Sequence, residues 1–295
     1  MIIGSHVSFG GKGLLGSATE AVSYGANTFM CYTGAPQNTL RKPIDEESVR
    51  KAHEYMQENG INPENIICHA PYIINLANKS KPEAWEFSVS FLKQELKRCE
   101  ALGIKYIVLH PGSAVSHTKE EALENICDAL NDIINVDTKV MILLETMAGK
   151  GTECGRNVEE IKNILDNIIF KDKIGVCLDT CHLHDSGIDL TTFDEYLEKF
   201  HELIGIHKIK CIHINDSLNQ LGSHKDRHAN LGYGKIGFNN LLSVIYNEKL
   251  KDVPKILETP YINNYPPYKF EIEAIKNKEF DDNLFKRVED YYKNL

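Results

Sequence analysis

The chain lacks any apolar run approaching the roughly 18 residues needed to span a bilayer, so a helical membrane protein is not expected. Its start, MIIGSHVSFGGKG, lacks a charged segment leading into a long apolar core. No secretion signal is therefore expected, and the cytoplasm is the expected location. Cysteine is not scarce, at 8 residues, but no C-x-x-C pair occurs. Cys31, Cys68, Cys177 and Cys211 lie inside strand-like apolar runs, so the set reads as small buried hydrophobes in a reducing compartment rather than as a disulfide framework. Positive charge is also short: 33 Lys and Arg against 42 Asp and Glu give a formal charge of −9. Taken alone, that balance argues against a nucleic-acid partner, because phosphate binding wants a basic footprint. Finally, no linker, repeat or low-complexity stretch divides the chain, so residues 1–295 are expected to form one domain.

What is present is an ordinary soluble composition, 42% hydrophobic and 25% charged, arranged as short β-rich runs alternating with longer helical patterns. Strands are expected at 2–6, 27–32, 66–69, 106–110, 140–145, 174–179, 209–214 and 254–258. Most are continuous apolar runs, the mark of parallel strands covered on both faces. The clearest helix runs from Pro82 to Leu102, with Trp85, Val89, Leu92, Leu96 and Cys99 on one face and Gly103 as a stop. Residues 118–134 open with the capping-box pattern Thr-Lys-Glu-Glu, and 158–169 place Ile161, Ile164, Leu165 and Ile168 on one stripe. Weaker helical patterns cover 17–25, 45–59, 193–204 and 238–248. Eight strands alternating with helices specify a single (β/α)8 TIM barrel, with residues 270–295 forming a terminal helix outside it.

Nine metal-type side chains recur at intervals of this repeat: His69, His110, Glu145, Asp179, His182, His213, Asp226, His228 and Glu258. Imidazoles and carboxylates are the ligands that borderline and hard divalent cations prefer. The chemistry of such barrels gathers at the carboxyl ends of the strands. His69, His110, Glu145, Asp179, His213 and Glu258 end the third to eighth strands, and His182 follows one short turn after the sixth. Asp226 and His228 flank Arg227, so an extended D-x-H presents two ligands to one ion. Singly, each has a bland reading as a satisfied polar residue or a helix cap. Together they do not, because buried carboxylates at successive strand ends would repel one another without cations. Nine ligands fit three ions if one carboxylate bridges, and Glu145 is central in the strand order. Three divalent cations would leave the site net positive, which lets an acidic protein attract phosphate. Close-spaced metals favour in-line displacement at phosphorus. His6 and His184 are expected to support the ligands, and Cys181 to pack beside them.

The segments HAPYIINLA (69–77), LHPGS (109–113), LETMAGKG (144–151), LDTCHLHDSG (178–187), HINDS (213–217), KDRHANLGYGKIGF (225–238) and ILETPY (256–261) carry a resemblance that spans essentially the whole chain. They closely resemble endonuclease IV, the trinuclear-zinc apurinic/apyrimidinic endonuclease family, and YTGAPQN (32–38) is similar to its Gram-positive-type variant. The resemblance implies three Zn2+ ions, with Mn2+ fitting the same ligands in part. His69, His110 and Glu145 would hold the first; Glu145, Asp179, His213 and Glu258 the second; His182, Asp226 and His228 the third. It implies hydrolysis of the phosphodiester 5′ to an abasic site in double-stranded DNA, leaving a 3′-hydroxyl and a 5′-deoxyribose phosphate. Removal of groups blocking 3′ ends comes with it. Glu145 would act catalytically as the bridge, and Glu258 would orient or deprotonate the nucleophile. Tyr72 and Ile73 match residues that wedge into the duplex. Gln37 stands where many members carry an arginine, and fills the gap without the charge.

Lys12, Arg41, Lys42, Lys150, Arg156, Lys225 and Arg227 all fall in loops after strands and are expected to contact backbone phosphates. The glycines of GYGKIG (232–237) read as loop geometry rather than as a phosphate cradle. A monomer is expected. Two rival readings remain open. A metal-dependent sugar isomerase or epimerase shares the barrel and strand-end carboxylates, but has no need of the His182, Asp226 and His228 set. A damaged-DNA binding module without cleavage would be expected to have lost a bridging ligand, and Glu145 is present.

Overall fold

The computed structural model describes residues 1–294. Seven strands come first: β1 (Ile3–His6), β2 (Thr28–Cys31), β3 (Ile67–His69), β4 (Tyr106–Leu109), β5 (Met141–Glu145), β6 (Ile174–Asp179) and β7 (Ile209–Ile214). A two-stranded antiparallel ribbon of β8 (Asp216–Ser217) and β9 (His228–Ala229) follows, and then β10 (Lys255–Leu257). The seven strands and β10 close an all-parallel barrel in the order β1-β10-β7-β6-β5-β4-β3-β2, the expected TIM architecture. The helices are α1 (Gly13–Ser23), α2 (Glu46–Glu58), α3 (Pro82–Leu102), α4 (Lys119–Ile133), α5 (Val158–Asp166), α6 (Thr180–Ser186), α7 (Phe193–Leu203), α8 (Phe238–Ile245), α9 (Tyr268–Asn277) and α10 (Leu284–Lys293). Among the described residues, no helix is long and apolar enough to cross a membrane.

Local chemistry sets the helix ends. Thr118 and Glu121 form the reciprocal capping box that opens α4, satisfying two otherwise orphaned amides. Gly103 ends α3 in the left-handed region at φ 74°, where a side chain is strained. Two segments differ from the sequence reading. The end of the chain, expected to form one helix from residue 270 on, holds two helices among the described residues, because Lys278 adopts φ 56° and ends α9. The short turn expected after the sixth strand is the seven-residue helix α6. Its buried residues include His182, His184 and Asp185, so it shows no apolar stripe to read.

Around the barrel strands the core has two layers, and a smaller cluster of Ile262, Phe270, Leu284 and Val288 lies under the last two helices. Between strands and helices lies a large apolar shell that includes Ile107, Ile142, Leu144 and Leu178. Inside the barrel, Met30, Ile67, Val108, Leu143, Cys177, Cys211 and Ile256 form a separate, fully buried plug. Side chains alternate faces along a strand. The residue two places after each plug residue therefore also points inward, one layer nearer the carboxyl mouth.

Candidate metal centre

That two-residue step accounts for six of the nine sequence-predicted ligands. Ile67, Val108, Leu143, Cys177, Cys211 and Ile256 plug the barrel, and His69, His110, Glu145, Asp179, His213 and Glu258 stand two positions further along the same strands or just beyond their ends. Strand pairing brings Asp179 level with His213. By the same step from Met30, Tyr32 joins the mouth, its ring centroid 4.8 Å from that of His6 and 5.6 Å from that of His69. The other three arrive differently: His182 on α6, Asp226 from the loop between β8 and β9, and His228 from β9 itself.

The nine side chains form three groups whose donor atoms lie within 4.8 Å of one another: His69, His110 and Glu145; Glu145, Asp179, His213 and Glu258; and His182, Asp226 and His228. Glu145 belongs to the first two. Its Oε2 lies 3.2 Å from His69 Nε2 and 3.1 Å from His110 Nε2. Its Oε1 lies 3.0 Å from His213 Nδ1. His213 Nδ1 is also 3.1 Å from Glu258 Oε2. In the third group, Asp226 Oδ1 lies 3.0 Å from His182 Nε2 and 3.4 Å from His228 Nε2.

Tautomers reveal what this arrangement needs. The Nδ1 atoms of His69, His182 and His228 face the carbonyl oxygens of Ala70 (2.7 Å), Thr146 (2.8 Å) and Glu258 (3.2 Å). A carbonyl only accepts, so each Nδ1 carries the proton and, in the neutral ring, leaves a bare lone pair on Nε2. All three lone pairs face carboxylate oxygens. Buried His228 Nε2 has no hydrogen-bond partner at all. Lone pair against anion repels unless a cation stands between, so the donor set fits divalent metal ions.

The electrostatics agree. Burial pushes the Glu145 and Glu258 carboxyls up, but neighbouring imidazoles, His213 foremost, hold both well below the usual carboxylate range. Burial pulls the His228 imidazole down, yet the adjacent Asp226 carboxylate, 3.4 Å away, and Asp179 leave it at about 9. Despite burial, the carboxylates hold the His182 and His213 imidazoles above their ordinary range as well, whereas burial pulls His69 down. Cys181 lies within 4.8 Å of the donor atoms of Asp179 and His228, but burial and then Asp179 push its thiol far up, which disfavours the ligating thiolate.

Several residues that hold the ligands went unread in the sequence. Asn215 donates to Asp179 Oδ2 (2.8 Å) and accepts from the Glu258 amide (3.0 Å), fixing two ligands from different strands. Thr146 accepts from the Asp179 amide through its hydroxyl (3.0 Å). Buried Asp216 accepts from the amides of Gly232 (3.0 Å), Gly234 (3.1 Å) and Ile236 (2.9 Å), which shapes the GYGKIG loop. A Cβ on Gly234 would meet Asp216 Oδ1 at 2.3 Å, so glycine is required there for close approach. Of the expected supporters, His6 lies 3.6 Å from Glu258, and His184 bonds the Asn219 carbonyl at 3.0 Å.

The expected DNA-facing residues divide. Gln37, Tyr72, Lys12, Lys42, Lys150, Lys225 and Arg227 are exposed, and Ile73 is half-buried. Tyr72 stands out, 57% exposed despite its size. Arg41 does not belong with them. Its side chain is 2% exposed and its Nε lies 2.7 Å from Glu95 on α3. Its Nη1 donates to the carbonyls of Ala35, Asn38 and Leu40, so it braces the loop bearing Gln37 from within. Arg156 is half-exposed and paired with Glu160 at 2.9 Å.

Residues 18–278 match the family model described as xylose isomerase-like TIM barrel. The chain is 51% identical over 293 residues to probable endonuclease 4 of Bacillus subtilis, covering 97% of this chain and 98% of the relative. Among solved structures, endonuclease IV from Thermus thermophilus superposes with a TM-score of 0.80 at 31% identity, over 94% of this chain and 98% of that one. A D-tagatose 3-epimerase-like protein superposes with a TM-score of 0.69 at 19% identity, over 99% of this chain and 100% of that one, a likeness of fold alone.

Proposed function

Because this chain belongs to the endonuclease IV family within the xylose isomerase-like barrels, we propose that it is a zinc-dependent DNA-repair endonuclease. It cleaves the phosphodiester 5′ to abasic sites in double-stranded DNA, leaving a 3′-hydroxyl and a 5′-deoxyribose phosphate, and clears blocked 3′ ends. One observation carries the reading: the two oxygens of Glu145 face different ligand sets, Oε2 toward His69 and His110 and Oε1 toward His213. A carboxylate so placed suits adjacent cations, and a third group stands beside it.

His69, His110 and Glu145 would hold one ion, Glu145, Asp179, His213 and Glu258 a second, and His182, Asp226 and His228 a third. Bound zinc supplies Lewis acidity toward the phosphate and an activated water at neutral pH. Glu258, beside His6 and His213, orients the attacking water. Tyr72 and Ile73 wedge into the duplex beside the lesion, where little stacking is lost because the base is missing. Gln37 fills the gap through hydrogen bonds, and Lys225 and Arg227 hold backbone phosphates. The enzyme works as a monomer in the cytoplasm, a compartment that suits eight free, buried cysteines.

A sugar epimerase would share the fold, but the His182, Asp226 and His228 group would have no task in it. The test is a duplex containing one tetrahydrofuran abasic analogue, incubated with the zinc-loaded protein. Incision 5′ to the analogue is expected. No incision, alongside turnover of a ketose or aldose, would overturn the proposal.

A further inference from the structure

We propose that Asp185, which the family reading leaves without a role, is the positioning residue that preforms the third ligand group. The inference rests on the reading that His182, Asp226 and His228 hold an ion. Asp185 lies on α6, one turn after His182, and is fully buried. Its carboxylate is engaged by one segment, from Ser217 on β8 to Asp226 in the loop that follows. Oδ2 accepts from the Asp226 amide (2.8 Å) and from Asn219 Nδ2 (3.0 Å), and Oδ1 accepts from the Ser217 hydroxyl (2.6 Å). Its main-chain carbonyl accepts from the His224 amide at 2.9 Å.

Backbone strain explains why such a hold is needed. Asp226 and His224 adopt φ 56° and 54°, in the left-handed region. That conformation is uncommon for a residue with a Cβ, even where Asp and His tolerate it better than most, and it is held by fixed surroundings. Both strained residues donate their amides to Asp185, one to its side chain and one to its main chain. Bonds from Gly222 to the His184 carbonyl (3.0 Å) and from His224 Nδ1 to the Ala148 carbonyl (2.7 Å) complete the attachment. A single short helix thus presents one ligand, His182, and templates the loop that delivers another, Asp226, with His228 two residues on. The carboxylate bonds the backbone of a ligand and not the metal, so its effect is on geometry. Outer partners of this kind are worth about 10–100-fold in metal affinity.

The test uses the full chain and its Asp185→Ala, Asp185→Asn and His182→Ala variants, loaded with zinc and titrated against a competing chromogenic chelator. Wild type is expected to hold three ions and His182→Ala two. Asp185→Ala is expected to bind one ion about 10–100-fold more weakly, with the other two unchanged. Asp185→Asn should fall between, since its amide oxygen still accepts from Asp226 but its nitrogen cannot accept from Ser217. In metal-free wild type, the Asp226 and His224 amides are expected to be protected from hydrogen exchange. Asp185→Ala should lose that protection while β7 keeps its own. Unchanged affinity for all three ions in Asp185→Ala, or unprotected Asp226 in metal-free wild type, overturns the role of Asp185. Three tightly bound ions in His182→Ala would instead overturn the ligand assignment on which it rests. Should Asp185→Ala fail to fold, Asp185→Asn and the wild-type exchange pattern decide the matter.

Discussion

His213 Nδ1 and Glu145 Oε1 lie 3.0 Å apart on strands that are not neighbours, with β6 between them. The contact reaches across β6 and makes Glu145 common to two candidate ligand groups. Glu145→Gln keeps the shape but replaces one of the two anionic oxygens with a donor. Incision of the tetrahydrofuran duplex is expected to fall by at least about 10²-fold, the scale seen when a single electrostatic contributor is removed. Duplex binding should stay measurable by gel shift. Incision at the wild-type rate would remove Glu145 from the bridging role.

Metal removal should cost stability as well as activity. Stripping the ions leaves Glu145, Asp179, Asp226 and Glu258 packed together with only ring protons to offset their charge. An ion that binds only the folded chain stabilises it by about 2.7 kcal/mol when present at 100 times its dissociation constant. The melting temperature is therefore expected to drop on dialysis against a chelator and to recover with Zn2+. Equal melting temperatures with and without chelator would speak against a resident metal.

The basic loop residues should separate by mutation. Lys225→Ala and Arg227→Ala are each expected to weaken binding to any duplex and to lower the salt-dependence slope by about 1. Arg41→Ala should behave otherwise, because it leaves the buried Glu95 carboxylate with its bond from Thr33 but without its ion-pair partner, a change that costs on the order of 3–5 kcal/mol of stability. Urea denaturation together with salt-dependent gel shifts tells the two behaviours apart. A normal fold with weakened DNA binding in Arg41→Ala would restore that residue to the DNA-facing set.

Glu271 on α9 predicts a pH dependence. Burial raises its carboxyl from the ordinary 4.5 to about 7, despite bonds from Thr259, Leu231 and Asn230. Between those values the folded state holds a proton that the unfolded chain has released, so stability falls as pH rises. The contribution is complete below about 4.5 and declines through about 7, a total of ~3 kcal/mol. Glu271→Gln mimics the protonated acid and should flatten this slope. Urea melts of both proteins at pH 5 and pH 8 give the comparison. A wild-type slope that survives the substitution would assign it to other groups.

The barrel and six of the ligands were legible because each strand is a short apolar run and its ligand repeats the inward phase of the plug residue two places earlier, as Cys211 does for His213. Asp226 and His228 were legible as a D-x-H pair flanking Arg227, but the pair is not extended as expected: Asp226 is left-handed at φ 56° and His228 lies on β9. The residues that went unread mean something only through partners far along the chain. Asn215 matters because it joins Asp179 to Glu258, and Asp185 because it holds Asp226. Arg41 looked like a phosphate contact because its counter-ion, Glu95, sits on a separate helix. Helix α6 was invisible because its buried face is polar.

The barrel closes where β10 pairs with β1, and Glu258 directly follows β10. During synthesis, β10 is the last barrel strand to leave the ribosome. The nine candidate ligands are therefore not all in place until the two ends of the sheet have met. A cut anywhere between His69 and Glu258 likewise divides the ligands between fragments. Completion of the candidate site is thereby tied to one topological event, the joining of first strand to last.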